Sequence, residues 1–93
     1  DYVVFTGSDA VGRRLAARLG ERLVPSTLEL SGCDAMFVLA DADAAFAARA
    51  AWFALSLNRG QTCIAVRRVF VHRSRVAEFL AALEPLVRAA EPM

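Results

Sequence analysis

The spacing of apolar residues changes repeatedly along the chain, and each change marks an element. Residues 2–7, YVVFTG, form an apolar run with β-branched and aromatic side chains, closed by Gly7, which predicts a buried strand. SDAVGRRLAARLG then places Val11, Leu15 and Leu19 at helical spacing, with Ser8 or Asp9 as N-cap and Gly20 as the stop. After Pro25, STLEL reads as a second strand and AMFVLA, at 35–40, as a third, with the bendable SGCD between them. DADAAFAARAAWFALSLN is apolar around nearly its whole circumference apart from Arg49. It predicts a helix capped by Asp41 or Asp43, buried on most sides and ended by a left-handed glycine in Asn58-Arg59-Gly60. CIAVRRVFVHR returns to an extended pattern, so Cys63 is expected to open a strand directly after that loop. The apolar positions 76, 79, 80, 83, 86 and 87 form a last helical stripe, expected to be capped by Ser74 and kinked or broken at Pro85. The order β-α-β-β-α-β-α is that of an α/β protein with a mostly parallel sheet, and it holds no repeat or low-complexity segment.

Composition sharpens this picture. At 93 residues and 57% hydrophobic, the chain carries more apolar surface than so short a sequence can bury, which points to missing neighbours. It opens on Asp1 with no signal-like leader and looks cut from something longer. Charged residues interrupt every apolar run before it reaches spanning length, so a soluble protein with no membrane segment is expected. A net charge of +1 with scattered arginines gives no phosphate-backbone footprint and no nucleic-acid partner. Cys33 and Cys63 lie too far apart, without a CxxC pair or a His cluster, for a zinc site, and free thiols in a reducing cytoplasm are expected. No metal is called for.

Three stretches could carry chemistry. In FTGSDAVG a strand runs into Gly7, Ser8 and then Gly12 at the mouth of a helix, a cradle where first-turn N–H groups favour a phosphate. In LELSGCD, Glu29 either faces solvent, which alternation favours, or is semi-buried and suited to general-base work. Cys63 is either a small buried hydrophobe or a thiolate nucleophile at the exposed N–H groups of the preceding loop.

Taken together, in this order and at these separations, FTGSDAVGRRLA, TLELSGCDAMFVLADAD and NRGQTCIAVRRVFV resemble the aldehyde dehydrogenase superfamily across essentially the whole chain. The resemblance implies a fragment of that fold, with residues 1–30 ending a dinucleotide-binding domain and 31–93 starting a catalytic domain. It implies NAD or NADP as cofactor, a small-molecule aldehyde as substrate and a homo-oligomeric cytoplasmic parent. Thr6, Gly7, Ser8, Val11 and Gly12 match the cofactor-lining segment, Leu30 a residue near the nicotinamide, Glu29 the general base and Cys63 the nucleophile. Arg68 matches a recurrent structural arginine. The implied course is a cysteine thiohemiacetal, its oxyanion held by the Cys63 N–H and an Asn outside these residues, then a thioester that Glu29-activated water hydrolyses.

The chain departs from the family pattern at Ser31, where Gly is usual, at Cys33, where Lys is usual, and at Ala35 in place of Pro. Cys33 is expected to be a buried thiol, with a redox partnership to Cys63 as the sharper reading. Because the remaining catalytic and ribose-binding residues would lie elsewhere, the chain alone is expected to be inactive. A non-catalytic α/β remnant or interaction module is the alternative.

Overall fold

A computed structural model describes residues 1–90. The chain divides into two compact units, Asp1–Ser31 and Gly32–Met93. In the first, strand β1 (Val3–Thr6), helix α1 (Asp9–Glu21) and strand β2 (Ser26–Glu29) form a βαβ turn, with β1 and β2 parallel in the register Val3↔Ser26 to Thr6↔Glu29. Alternation fixes the faces: Val3, Phe5 and Leu28 are half-buried, whereas Val4, Thr6, Thr27 and Glu29 are exposed. Tyr2 joins the exposed face through a 2.7 Å hydrogen bond between its hydroxyl and that of Thr27. Gly12, the buried residue of α1, leaves room for Leu30; a Cβ there would fall 2.7 Å from one Leu30 methyl and nearer still to the other.

Gly20 does not stop α1. The helix runs through it to Glu21, and Leu23 takes the left-handed conformation at φ 54°. The Val24 N–H donates to the Leu19 carbonyl (3.0 Å) and the Leu23 N–H to that of Gly20 (3.1 Å), the paired bonds of a Schellman ending. These bonds and the need to turn into Pro25 outweigh the preference for glycine in that conformation.

The second unit contains strand β3 (Asp34–Val38), helix α2 (Ala44–Ser56), strand β4 (Val66–Val71) and helix α3 (Val76–Arg88). Strands β3 and β4 pair in parallel, with an irregularity between Asp34 and Ala35. Asp43, rather than Asp41, caps α2 by accepting from the Phe46 N–H at 2.9 Å. Ala44, Ala47, Ala48 and Ala51 form one face of α2, and this smooth face packs with Val38 and Phe79 into the core, flanked by Met36, Val71, Ala82 and Leu83. The expectation that α2 is buried on most sides fails: Phe46 and Phe53 are more than 60% exposed, because the described residues supply partners for the alanine face only. On the sheet, Phe37 and Phe70 stack at 5.1 Å on the face opposite the core, both exposed.

Two further expectations need correction at α3. Ser74 does not cap it. The Ser74 N–H donates to His72 Nδ1 (3.3 Å), and its hydroxyl lies 2.9 Å from the same nitrogen, inside a short 3₁₀ turn at Arg73–Arg75. The helix starts after Arg75 with no side-chain cap, while Arg75 Nε donates to the Ala40 carbonyl at 2.6 Å. Nor does Pro85 end α3, which continues to Arg88. The bond lost to the proline is offset by the packing of α3 along α2 through Phe79, Ala82 and Leu83.

Gly12→Ala should destabilise the chain by about 1–3 kcal/mol, as overpacking does. Gly20→Ala, which meets nothing within 4 Å, should stabilise it by up to about 1 kcal/mol through helix propensity. Urea midpoints check the contrast, and Leu30→Ala added to Gly12→Ala should recover part of the loss. Equal midpoints for the two single variants would show that Leu30 does not occupy the Gly12 notch.

Candidate active site

In the first unit, the residues singled out by sequence gather at the carboxyl ends of β1 and β2. Thr6 and Glu29 are register partners, and both side chains are exposed on one face of the parallel pair. The Gly7 N–H donates to the Glu29 carbonyl at 3.0 Å, tying the start of the turn to the residue that carries the carboxylate. Ser8 caps α1, its hydroxyl accepting from the Val11 N–H at 3.4 Å. The first-turn N–H groups of Asp9 and Ala10 have no helical carbonyl within reach and are available to another acceptor. This end of an open parallel sheet is where such folds place ligands. The absent side chains of Gly7 and Gly12 have an internal use: a Cβ on Gly7 would meet the Phe5 ring at 2.5 Å, and one on Gly12 would meet Leu30. Glu29 stands on the solvent side that alternation favours.

In the second unit, Cys63 does not open a strand. It sits in a turn, three residues ahead of Val66, the first residue of β4, and it is exposed. The loop before it is tightly wound. Asn58, Arg59 and Gly60 adopt left-handed φ values of 49°, 56° and 69° in succession, so the turn expected from glycine alone occupies three residues. Arg67 Nη2 donates to the Gly60 carbonyl at 2.7 Å and pins this loop to β4. Arg68 Nη2 donates to the Cys33 carbonyl at 3.0 Å, consistent with a structural arginine. Trp52 of α2 lines a cavity together with Arg59, Gly60, Gln61 and Arg67.

Sequence reasoning missed Gly32 as the seat of this loop. A Cβ at residue 32 would overlap the Cys63 carbonyl oxygen and fall 2.7 Å from the carbonyl carbon and 3.2 Å from Cα. The chain thus keeps glycine where backbone meets backbone, and the departure at Ser31 falls on an exposed residue. The signal was present in SGC, read only as a bendable stretch. Cys33 is exposed, not buried, because it precedes β3 and lies outside the core beneath α2 and α3. Arg67, read only as part of a strand, was missed as the pin of the Gly60 turn.

Among the described residues, no group of three or more His, Cys, Asp or Glu side chains could hold a metal ion, and no helix is long and apolar enough to cross a membrane.

Residues 1–92 match the model of the aldehyde dehydrogenase family. The chain is 45% identical over 83 residues to a 4,4'-diapolycopene aldehyde oxidase of Methylomonas, covering 89% of this chain and 16% of that protein. It is 43% identical to a putative NADP-dependent succinate-semialdehyde dehydrogenase of Mycolicibacterium smegmatis, covering 96% and 17%. Among solved structures, the NAD+ complex of an aldehyde dehydrogenase from Bacillus cereus superposes with a TM-score of 0.91 at 35% identity, over 98% of this chain and 18% of that one. An aldehyde dehydrogenase of Mycobacterium tuberculosis complexed with NAD+ gives 0.87 at 43% identity, over 96% and 18%. The chain therefore spans about one sixth of the length of the curated relatives it matches.

Gly32→Ala should cost more than Gly12→Ala, at least about 3 kcal/mol, because the neighbour that must yield is backbone rather than a flexible leucine. Urea midpoints of the two variants should differ in that order. A Gly32→Ala midpoint equal to wild type would mean that the Cys63 turn is not seated on residue 32.

Proposed function

Since the chain belongs to the aldehyde dehydrogenase family, we propose that it is the central part of a longer, cytoplasmic, NAD- or NADP-dependent enzyme that oxidises an aldehyde to a carboxylic acid. Residues 1–31 contribute the end of a dinucleotide-binding domain and residues 32–93 the start of a catalytic domain, a division supported by the two compact units. The names of the relatives, which include NADP-dependent and NAD+-bound dehydrogenases, support the cofactor assignment.

The observation that carries the reading is the seating of Cys63. Its carbonyl rests on Gly32 and its turn is pinned through Gly60 by Arg67, yet the residue itself remains exposed. A nucleophile needs that combination of a fixed backbone and an accessible sulfur. The Cys63 thiolate adds to the aldehyde carbon, and the former carbonyl oxygen becomes the oxyanion of a thiohemiacetal. The turn of Thr6, Gly7 and Ser8, with Val11, Gly12 and Leu30 behind it, fits a dinucleotide: it offers first-turn N–H groups and a helix N-terminus to phosphate. When bound there, the nicotinamide supplies the acceptor for the hydride that must leave before a thioester exists. On that thioester, Glu29 takes a proton from water as the water oxygen attacks the carbonyl carbon, and the acid and the Cys63 thiolate are released. The exposed carboxylate at the end of β2 is free for this exchange. A retained Glu29 favours hydrolysis over transfer of the acyl group to a thiol such as coenzyme A.

In the longer enzyme, Glu29→Gln should acylate normally but stall at hydrolysis, giving a rapid-quench burst of reduced cofactor followed by turnover slowed by about 10²-fold or more. Cys63→Ala should abolish both phases, and substoichiometric iodoacetamide should label Cys63 with activity lost in proportion. Full activity in Cys63→Ala would sink this reading and favour a non-catalytic remnant; loss of the burst in Glu29→Gln would move Glu29 to an earlier step.

A further inference from the structure

Cys33 has no part in the chemistry above, yet the fold places it beside the Cys63 turn. Both cysteines are free and exposed. Each stands just ahead of one strand of the same parallel pair, Cys33 directly before β3 and Cys63 in the turn before β4, and the register matches Asp34 with Val66. Parallel neighbours lie about 4.8 Å apart, so the two leads emerge side by side at one end of the sheet. The contact at Gly32 tightens this further. With a residue-32 Cβ falling 3.2 Å from the Cys63 Cα, standard bond lengths hold the Cys33 and Cys63 Cα atoms within about 8.5 Å of each other. A disulfide spans roughly 4.4–6.8 Å between Cα atoms, inside that bound. Two consecutive arginines on opposite faces of β4 hold the leads in place, Arg68 through the Cys33 carbonyl and Arg67 through that of Gly60.

We propose that Cys33 and Cys63 form a reversible dithiol–disulfide pair, closed by hydroperoxides and opened by thiol reductants, in which Cys33 resolves the oxidised form of Cys63. The Cys63 thiolate attacks a peroxide oxygen, the O–O bond breaks, and a sulfenic acid forms as hydroxide (or alkoxide) leaves. The Cys33 thiolate attacks that sulfur, the S–O bond breaks, and a second hydroxide leaves with the new S–S bond. The two thiols lose two electrons and two protons, and hydrogen peroxide is reduced to two waters. Closure keeps the Cys63 sulfur from the irreversible sulfinic acid. Its effect on turnover rests on Cys63 being the nucleophile; formation of the bond does not.

The test treats the longer protein carrying this chain with hydrogen peroxide, blocks remaining thiols, and maps peptides without reduction. The expected result is a Cys33–Cys63 linked peptide within one chain, formed at least ten-fold faster in native protein than in urea, with activity lost and then restored by dithiothreitol. Cys33→Ser, and Cys33→Ala as a second variant should the first misfold, should keep basal activity. After peroxide, however, each should carry sulfinic acid at Cys63 and recover several-fold less activity. Absence of the linked peptide, a bond between two chains instead, or a native rate no higher than in urea would overturn the proposal. A linked peptide with undiminished activity would uphold the pair and refute Cys63 as nucleophile, so the two readings fail separately.

Discussion

Backbone meets backbone at residue 32, and nothing larger than hydrogen fits between them. The carbonyl of Cys63 occupies the space a side chain would need at Gly32, and much of the second unit is arranged around that approach. It fixes the turn ahead of β4 to the segment ahead of β3, so the parallel register, the left-handed triplet at Asn58–Gly60 and the two arginine hydrogen bonds all act on one joint. A turn held only by its own residues would fray at little cost. Held at Gly32, at Gly60 and at Cys33, it presents an exposed cysteine on a fixed backbone.

The same economy of small residues governs the rest of the packing. Four alanines give α2 a face on which Val38 and Phe79 can close, and Gly12 gives α1 a notch for Leu30. Charge contributes little: the pairs Arg13–Asp9, Arg75–Glu78 and Arg88–Glu84 join neighbouring turns near the surface, where such pairs are worth up to about 1 kcal/mol. Against this compact core stands the apolar surplus of the composition. It is visible at Phe37 and Phe70 on the open sheet face and at Phe46 and Phe53 on the open side of α2. Parallel sheets are stable when covered on both faces, and these strands are covered on one.

The element order and the type of each element were legible because long periodic runs and β-branched clusters report local preference directly. Element ends were less so. Gly20 and Ser74 carry the residue types of a stop and a cap, but tertiary bonds placed the left-handed residue at Leu23 and engaged Ser74 with His72. Pro85 reads as a break, yet α3 is held along α2 and continues past it. For the candidate site, Thr6, Gly7, Ser8 and Glu29 were found together because they terminate adjacent strands, which the βαβ pattern implies. Gly32 and Arg67 were not. Their partners lie 31 and 7 positions away, and no periodicity encodes the meeting of two turns. The exposure of Cys33 was misread for a related reason, since a strand that dives into a core need not carry its leading residue with it.

Trp52 lines the same hollow as Arg59, Gly60 and Gln61, a few residues from Cys63, and it is the one tryptophan in the sequence. Indole emission responds to the polarity and motion of its surroundings. The intrinsic fluorescence of these 93 residues is therefore a native optical gauge of the cysteine turn, readable without a dye or a label.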